Sequence, residues 1–213
     1  MAKTAQQEID ERANLTAENK FELFLFRLGQ APESETRELY RINVFKVREI
    51  MAMPKITQIA EAHPLMLGVA NIRGQIIPVI DLPAAVGCQP TRGLNILIIT
   101  EFARTTQAFA VEEVDEIVRL EWNQVLSAEG NSGGGTITSI ARLDGNVDGS
   151  RLAQVLDVEQ ILRTVQPSSQ PDVDPARIGP AVTLRPGTIV LAADDSLLAR
   201  KMIEQGLTAM QIP

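Results

Sequence analysis

"PLMLGVANIRGQIIPVIDL" occupies residues Pro64–Leu82 and is the stretch on which the fold turns. Two apolar runs flank Asn71-Ile72-Arg73-Gly74, a combination that marks a tight turn. Gly74 permits a positive φ or a close backbone approach there. After the turn, Gln75–Leu82 reads as a strand, and Pro78, which lacks a ladder donor, favours an edge or a bulge. Before it, residues 61–74 carry a short helix candidate that ends at the turn. Arg73 at that turn sets a planar five-donor fork beside an apolar strand, a pairing enriched at interface hot spots. The plainer alternative is a capped surface turn, with Ile76–Leu82 filling a core and Arg73 in an ion pair, for which Glu49 is the best-placed partner.

Outward from this segment the chain is a series of short apolar runs. "KFELFLFRLG" alternates in both registers, Phe21, Leu23 and Leu25 against Phe24, Phe26 and Leu28, as a strand covered on both faces does. Glu38–Ile50 reads as a second extended segment, rich in β-branched and aromatic residues. "LNILIIT", "TQAFAVEEV", "DEIVRL", "TITSIARLDG" and "RLAQVLDV" follow as further strands, and "VEQILRTV" as a closing helix. Short strands separated by Gly, Pro and Asn turns predict a mainly β barrel or a pair of barrels. "GNSGGGT" (Gly130–Thr136) reads as a flexible loop, because it does not connect a strand to a helix as a phosphate-binding loop would. The acidic run Glu112, Glu113, Asp115, Glu116 and Glu121 lacks the looped spacing of a calcium site and reads as a solvated hairpin face.

Composition narrows the function. The net charge of −7 argues against a nucleic-acid binder, which needs clustered Lys and Arg. Cys88 and His63 are the single cysteine and histidine, which removes disulfides, thiolate metal clusters and multi-imidazole sites and leaves little for a catalytic triad. His63-Pro64 reads as a turn or helix start. The polar, acidic N-terminus is not a signal peptide, and no apolar run reaches the ~20 residues that span a bilayer, so the expectation is a cytoplasmic protein without direct membrane insertion.

Residues Pro64–Leu82 resemble the signature segment of the CheW family of chemotaxis coupling proteins, with its Asn-x-Arg-Gly turn and a strand ending in Asp-Leu. "ELYRINVFKVREIM" looks like the second and third strands of that family, "TQAFAVEEVDEIVRL" like its central acidic hairpin, and "RLAQVLDVEQIL" like its closing strand and helix. The resemblance covers about Lys20 to Val165 and implies two packed five-stranded SH3-like barrels with short helices. It further implies a non-enzymatic adaptor that needs no cofactor and joins chemoreceptor tips to the histidine kinase CheA. Val47, Glu49, Gly68 and Arg73 match family positions on the partner-binding surface. Read without the family, Val47 is a core valine and Glu49 a solvated strand residue.

The flanks complete the expected organisation. Residues 1–19 form an N-terminal arm, 20–165 the coupling domain, 166–187 a proline-rich semi-extended linker, and 188–213 a strand–helix tail. "TIVLAADDSLLARK" resembles the start of a response-regulator receiver, where Asp194 and Asp195 would form half of a magnesium site. An Asp or Ser N-cap for a helix over Leu197–Gly206 explains the same residues structurally. The order of a CheW-like domain, linker and receiver start resembles the CheV-like coupling proteins. The resemblance implies that the phospho-accepting aspartate, and so magnesium binding and modulation by phosphorylation, belong to a full-length parent, with this chain a truncated form. The alternatives are a phospho-accepting response regulator whose receiver is cut off here and, behind it, a β-barrel binder of small molecules.

Overall fold

The chain runs β1 (Lys20–Arg27), β2 (Leu39–Asn43), β3 (Val47–Ala52), β4 (Met66–Ile72), β5 (Gln75–Asp81), α1 (Leu82–Ala85), β6 (Ile96–Phe102), β7 (Thr105–Val111), β8 (Glu113–Glu121), β9 (Val125–Ser127), β10 (Ile137–Arg142), β11 (Leu152–Leu156), α2 (Val158–Val165) and α3 (Leu197–Ala209). This computed structural model describes residues 20–31, 34, 36–102, 105–121, 124–127, 136–143, 151–166, 184–185, 188–194, 197–210 and 212. The N-terminal arm, the Gly-rich loop before Thr136, nearly all of the proline-rich linker and Asp195 lie outside them.

Two sheets carry the fold. The first has the order β8-β1-β2-β11-β10-β9, and the second β3-β6-β7-β5-β4. The first therefore has one strand more than expected, because the three-residue β9 pairs along β10. The Glu38–Ile50 segment is not one strand. Asn43 caps a 3-10 turn at Val44–Lys46, its Oδ1 accepting from the Phe45 amide, and this turn passes the chain from the first sheet to the second.

β1 buries both faces, as its double alternation demands. Leu23 and Leu25 enter small apolar clusters with Leu39, Leu120, Ala141 and Ala153. Phe24, Phe26 and Leu28 turn the other way, into a core shared with Ile80, Ile98, Phe109 and Val111 of the second sheet and with Val158, Ile161 and Val165 of α2. The opposite face of the second sheet closes over Ile72, Ile77, Val79, Leu97 and Ile99. Burial of a side chain of this size contributes about 1.5–3 kcal/mol, so the shared core is what binds the two sheets into one body.

Two expectations about the decisive segment change. Met66–Ile72, part of the helix candidate, is the strand β4, paired antiparallel with β5. His63 sits in the turn before it, with Nδ1 accepting from the Leu65 amide. β5 is an inner strand rather than an edge, but Pro78 falls just before parallel pairing with β7 begins at Val79. The missing donor is thereby kept out of that ladder.

Candidate functional site

The β4–β5 hairpin has a two-residue loop, since Ile72 pairs with Gln75. Arg73 (φ 52°) and Gly74 (φ 85°) both take positive φ, the signature of a type I′ turn. Asn71 completes it, its Oδ1 accepting from the Gly74 amide at 3.0 Å. The left-handed conformation costs a non-glycine residue on the order of 1 kcal/mol.

Arg73 and β3 would be far apart if the second sheet were flat, because β3 and β4 are its two ends. The segment after β3 rolls the sheet up. Thr57 and Val69 exchange both backbone hydrogen bonds at 2.8 Å, joining that segment to β4. Gly68 makes the approach possible: it is buried, at φ 136°, and a Cβ there would stand 2.2 Å from the Thr57 carbonyl oxygen. Across the closed edge, Arg73 Nη2 lies 2.6 Å from Glu49 Oε1.

The Arg73 side chain is 79% exposed and that of Glu49 27%. A pair this wet contributes only about 0.2–1 kcal/mol, so its consequence is the fixed aim of the guanidinium. Ile76, opposite Asn71 on the hairpin, is 62% exposed beside it. The expectation of a core role holds for Ile77, Val79 and Ile80 but not for Ile76. A β-bulge between Val47 and Glu49 turns Arg48 outward to Glu101 at 3.2 Å. Cation, carboxylate and bare isoleucine form a polar and apolar patch suited to a protein surface.

Of the four residues singled out in the sequence, the structure brings Glu49 and Arg73 together. Val47 and Gly68 do other work: Val47 is half-buried against the shared core, and Gly68 permits the roll.

A second charged cluster was not visible in the sequence. Glu112 joins β7 to β8 and is buried, against the expectation of a solvated hairpin face. It accepts from Arg37 Nη2 at 2.7 Å, from the Thr91 amide and hydroxyl at 2.7 and 2.8 Å, and from the Arg92 amide. Burial alone would push its carboxyl up, but these donors outweigh it and hold the group below the usual range. Glu113 is likewise held low, by Arg37 at 2.6 Å. The crossing from the second sheet back to the first is thus pinned by charge.

In the tail, Thr188–Asp194 forms no strand, and Ile189 and Leu191 are about nine-tenths exposed (89% and 92%). α3 runs on to Ala209, beyond the expected Gly206. Asp194 is exposed and its carbonyl accepts from Arg200 Nη1 at 2.6 Å. Among the described residues no group of three His, Cys, Asp or Glu side chains is placed to hold a metal ion, so they do not by themselves fit magnesium. No described helix is long and apolar enough to cross a membrane.

A family model described as the CheW-like domain matches residues 22–166. The chemotaxis protein CheV2 of Helicobacter pylori is 27% identical over 97% of this chain and 68% of its own length. CheV3 of the same organism is 30% identical over 94% of this chain and 65% of its own. The chain thus spans about two thirds of the length of these relatives. Among solved structures, the scaffolding protein TtCheW of Thermoanaerobacter tengcongensis matches with a TM-score of 0.54 at 25% identity, covering 64% of this chain and 88% of that one.

Proposed function

The chain belongs to the CheW-like domain family, as a CheV-like chemotaxis coupling protein, and from that premise we propose that it holds chemoreceptor tips and the histidine kinase CheA together by binding alone, without catalysis. The observation that carries this is the exposed Arg73, clamped by Glu49 beside Ile76 on the closed edge of the second sheet. A preset guanidinium next to apolar surface is a hot-spot arrangement, with one charge already oriented before the partner arrives. Glu49 and Arg73 supply the contact, while Val47 and Gly68 hold it in shape. The protein acts in the cytoplasm and is recruited to receptor arrays. In a full-length parent, Asp194 and Asp195 would form half of a receiver magnesium site, and phosphorylation of that receiver would modulate coupling.

The test is Arg73→Ala, read by binding to receptor tips and to CheA alongside a thermal melt. Loss of a charge-assisted hydrogen-bond donor at an interface costs about 1–3 kcal/mol, or roughly five- to 150-fold in affinity. The melting temperature should hardly move, because the Glu49 pair is so exposed. Unchanged binding to both partners would remove Arg73 from the interface.

A further inference from the structure

The Arg73 guanidinium is only partly used by its own chain. Among the described residues it makes a single hydrogen bond, donated from Nη2 to Glu49 Oε1 at 2.6 Å. A guanidinium has two edges at which a pair of N–H groups can grip a carboxylate, and each edge takes a different hydrogen of Nη2. One Glu49 oxygen therefore spoils one edge and leaves the other whole. With most of the side chain exposed, that second edge is open to a partner. The hairpin face behind it is apolar. Ala70, Ile72, Ile77 and Val79 point into the core of the second sheet, so Val69, Asn71, Ile76 and Pro78 lie on the outer face. Asn71 pairs with Ile76 in one rung and Val69 with Pro78 in the next. Ile76 is bare, Val69 and Pro78 are half-buried, and Ile80 beyond them enters the shared core.

We propose that the partner meets Arg73 with an acidic side chain, an Asp or Glu whose carboxylate takes the whole edge through two parallel hydrogen bonds. The assignment rests on the Arg73 edge being the partner surface, and it adds the chemistry which that surface recognises. A carboxylate matches the planar pair of donors, whereas a single carbonyl oxygen would leave one of them unmet. An apolar neighbour of the acid, laid over Ile76, expels water from the new ion pair and strengthens it. A cation on the partner would be drawn to Glu49 but repelled by Arg73, the far more exposed of the two. Glu49 is then a positioning residue with two opposed effects. Its oxygen holds the guanidinium in place, and its negative charge stands beside the incoming carboxylate and opposes it. A phosphate dianion would meet the same opposition with a larger charge of its own. The clamp is useful for its hydrogen bond and costly for its charge, and the two can be separated by one substitution.

The experiment measures the affinity of the whole 213-residue chain for receptor tips and for CheA, in the parent, Arg73→Ala, Arg73→Lys and Glu49→Gln. The partner that Arg73→Ala weakens is the one that carries the acid. Arg73→Lys keeps the charge but not the paired donors, and should still lose about fivefold or more towards that partner. Glu49→Gln keeps an Oε1 acceptor for Nη2 and removes the opposing charge. It should bind about two- to fivefold tighter at low salt, and the gain should vanish at about 0.5 M salt. Thermal melts of the variants should coincide with the parent, because so exposed a pair adds little stability. Parent-like binding by Arg73→Lys would show that a point charge suffices and would overturn the paired carboxylate. Unchanged or weaker binding by Glu49→Gln would overturn it too, since no negative charge would then stand opposite. Both of these failures leave Arg73→Ala impaired and the site intact. If Arg73→Ala binds both partners as the parent does, the site itself falls, and the acidic partner group with it.

Discussion

At Gly68 an added methyl would stand 2.2 Å from the Thr57 carbonyl oxygen and 2.9 Å from its carbon, both backbone atoms that cannot swing aside. The left-handed φ adds strain of its own. Gly68→Ala should cost about 2–4 kcal/mol, read as a lower urea midpoint, and it should cost partner binding too, because the Thr57–Val69 closure positions β3 against the turn. A wild-type midpoint would mean that the edge closes by other means. Glu112 offers a test with pH. Its folded carboxyl is more acidic than the unfolded one, so its contribution is present above the unfolded pKa of about 4.3 and is lost as pH falls through the folded value. Glu112→Gln should cost about 1–3 kcal/mol at neutral pH and lose less than the parent as pH drops below about 4. Parallel acid limbs in the two proteins would contradict this. Nothing near Glu112 in sequence announces its burial. Its donors come from Arg37, 75 residues back, and from the loop at Thr91–Arg92.

The β4–β5 hairpin separates what the turn requires from what the partner requires. Asn tolerates positive φ better than Arg and is favoured at the first position of a type I′ turn. Arg73→Asn should therefore keep or raise stability, by up to about 0.5 kcal/mol, while losing the Glu49 ion pair and weakening partner binding as Arg73→Ala does. Binding retained by Arg73→Asn would show that hairpin shape, rather than the guanidinium, is recognised. The turn itself was legible in Asn71 and Gly74, and the double burial of β1 in its two apolar registers. The nature of Met66–Ile72 was not. Met66 and Leu67 are both half-buried, and Gly68 and Ala70 fill inward positions with little side chain, so the period of two is blurred. Pairing with β5 decides it, and pairing is not a local property. Likewise Thr188–Ala193 has strand-forming residues but, among the described residues, no strand paired with it. The Glu49–Arg73 contact was named from residues 24 apart, yet its dependence on a rolled sheet and a bare glycine could come only from the fold.

Over the whole molecule, every described strand and the complete shared core fall within residues 20–166. A fragment of that span should melt cooperatively within a few degrees of the full chain and bind the same partners. Aggregation of the fragment, or loss of binding, would place part of the folding unit in the tail. Within that span the two sheets are not equivalent. The first draws β1 and β2 from before residue 44 and β8–β11 from after residue 112, whereas the second runs uninterrupted through residues 47–111. During synthesis β1 and β2 can pair with each other, but each must wait for its second neighbour, β8 and β11 respectively. At about 5–20 residues per second, β1 stands without β8 for several seconds. The second sheet is finished in that interval, and its face of Ile80, Ile98 and Phe109 joins Tyr40 and Ile42 of β2 in covering Phe24 and Phe26 before β8 is made. Birth order thus makes the second sheet the template, and the first its client until Leu156 has been translated.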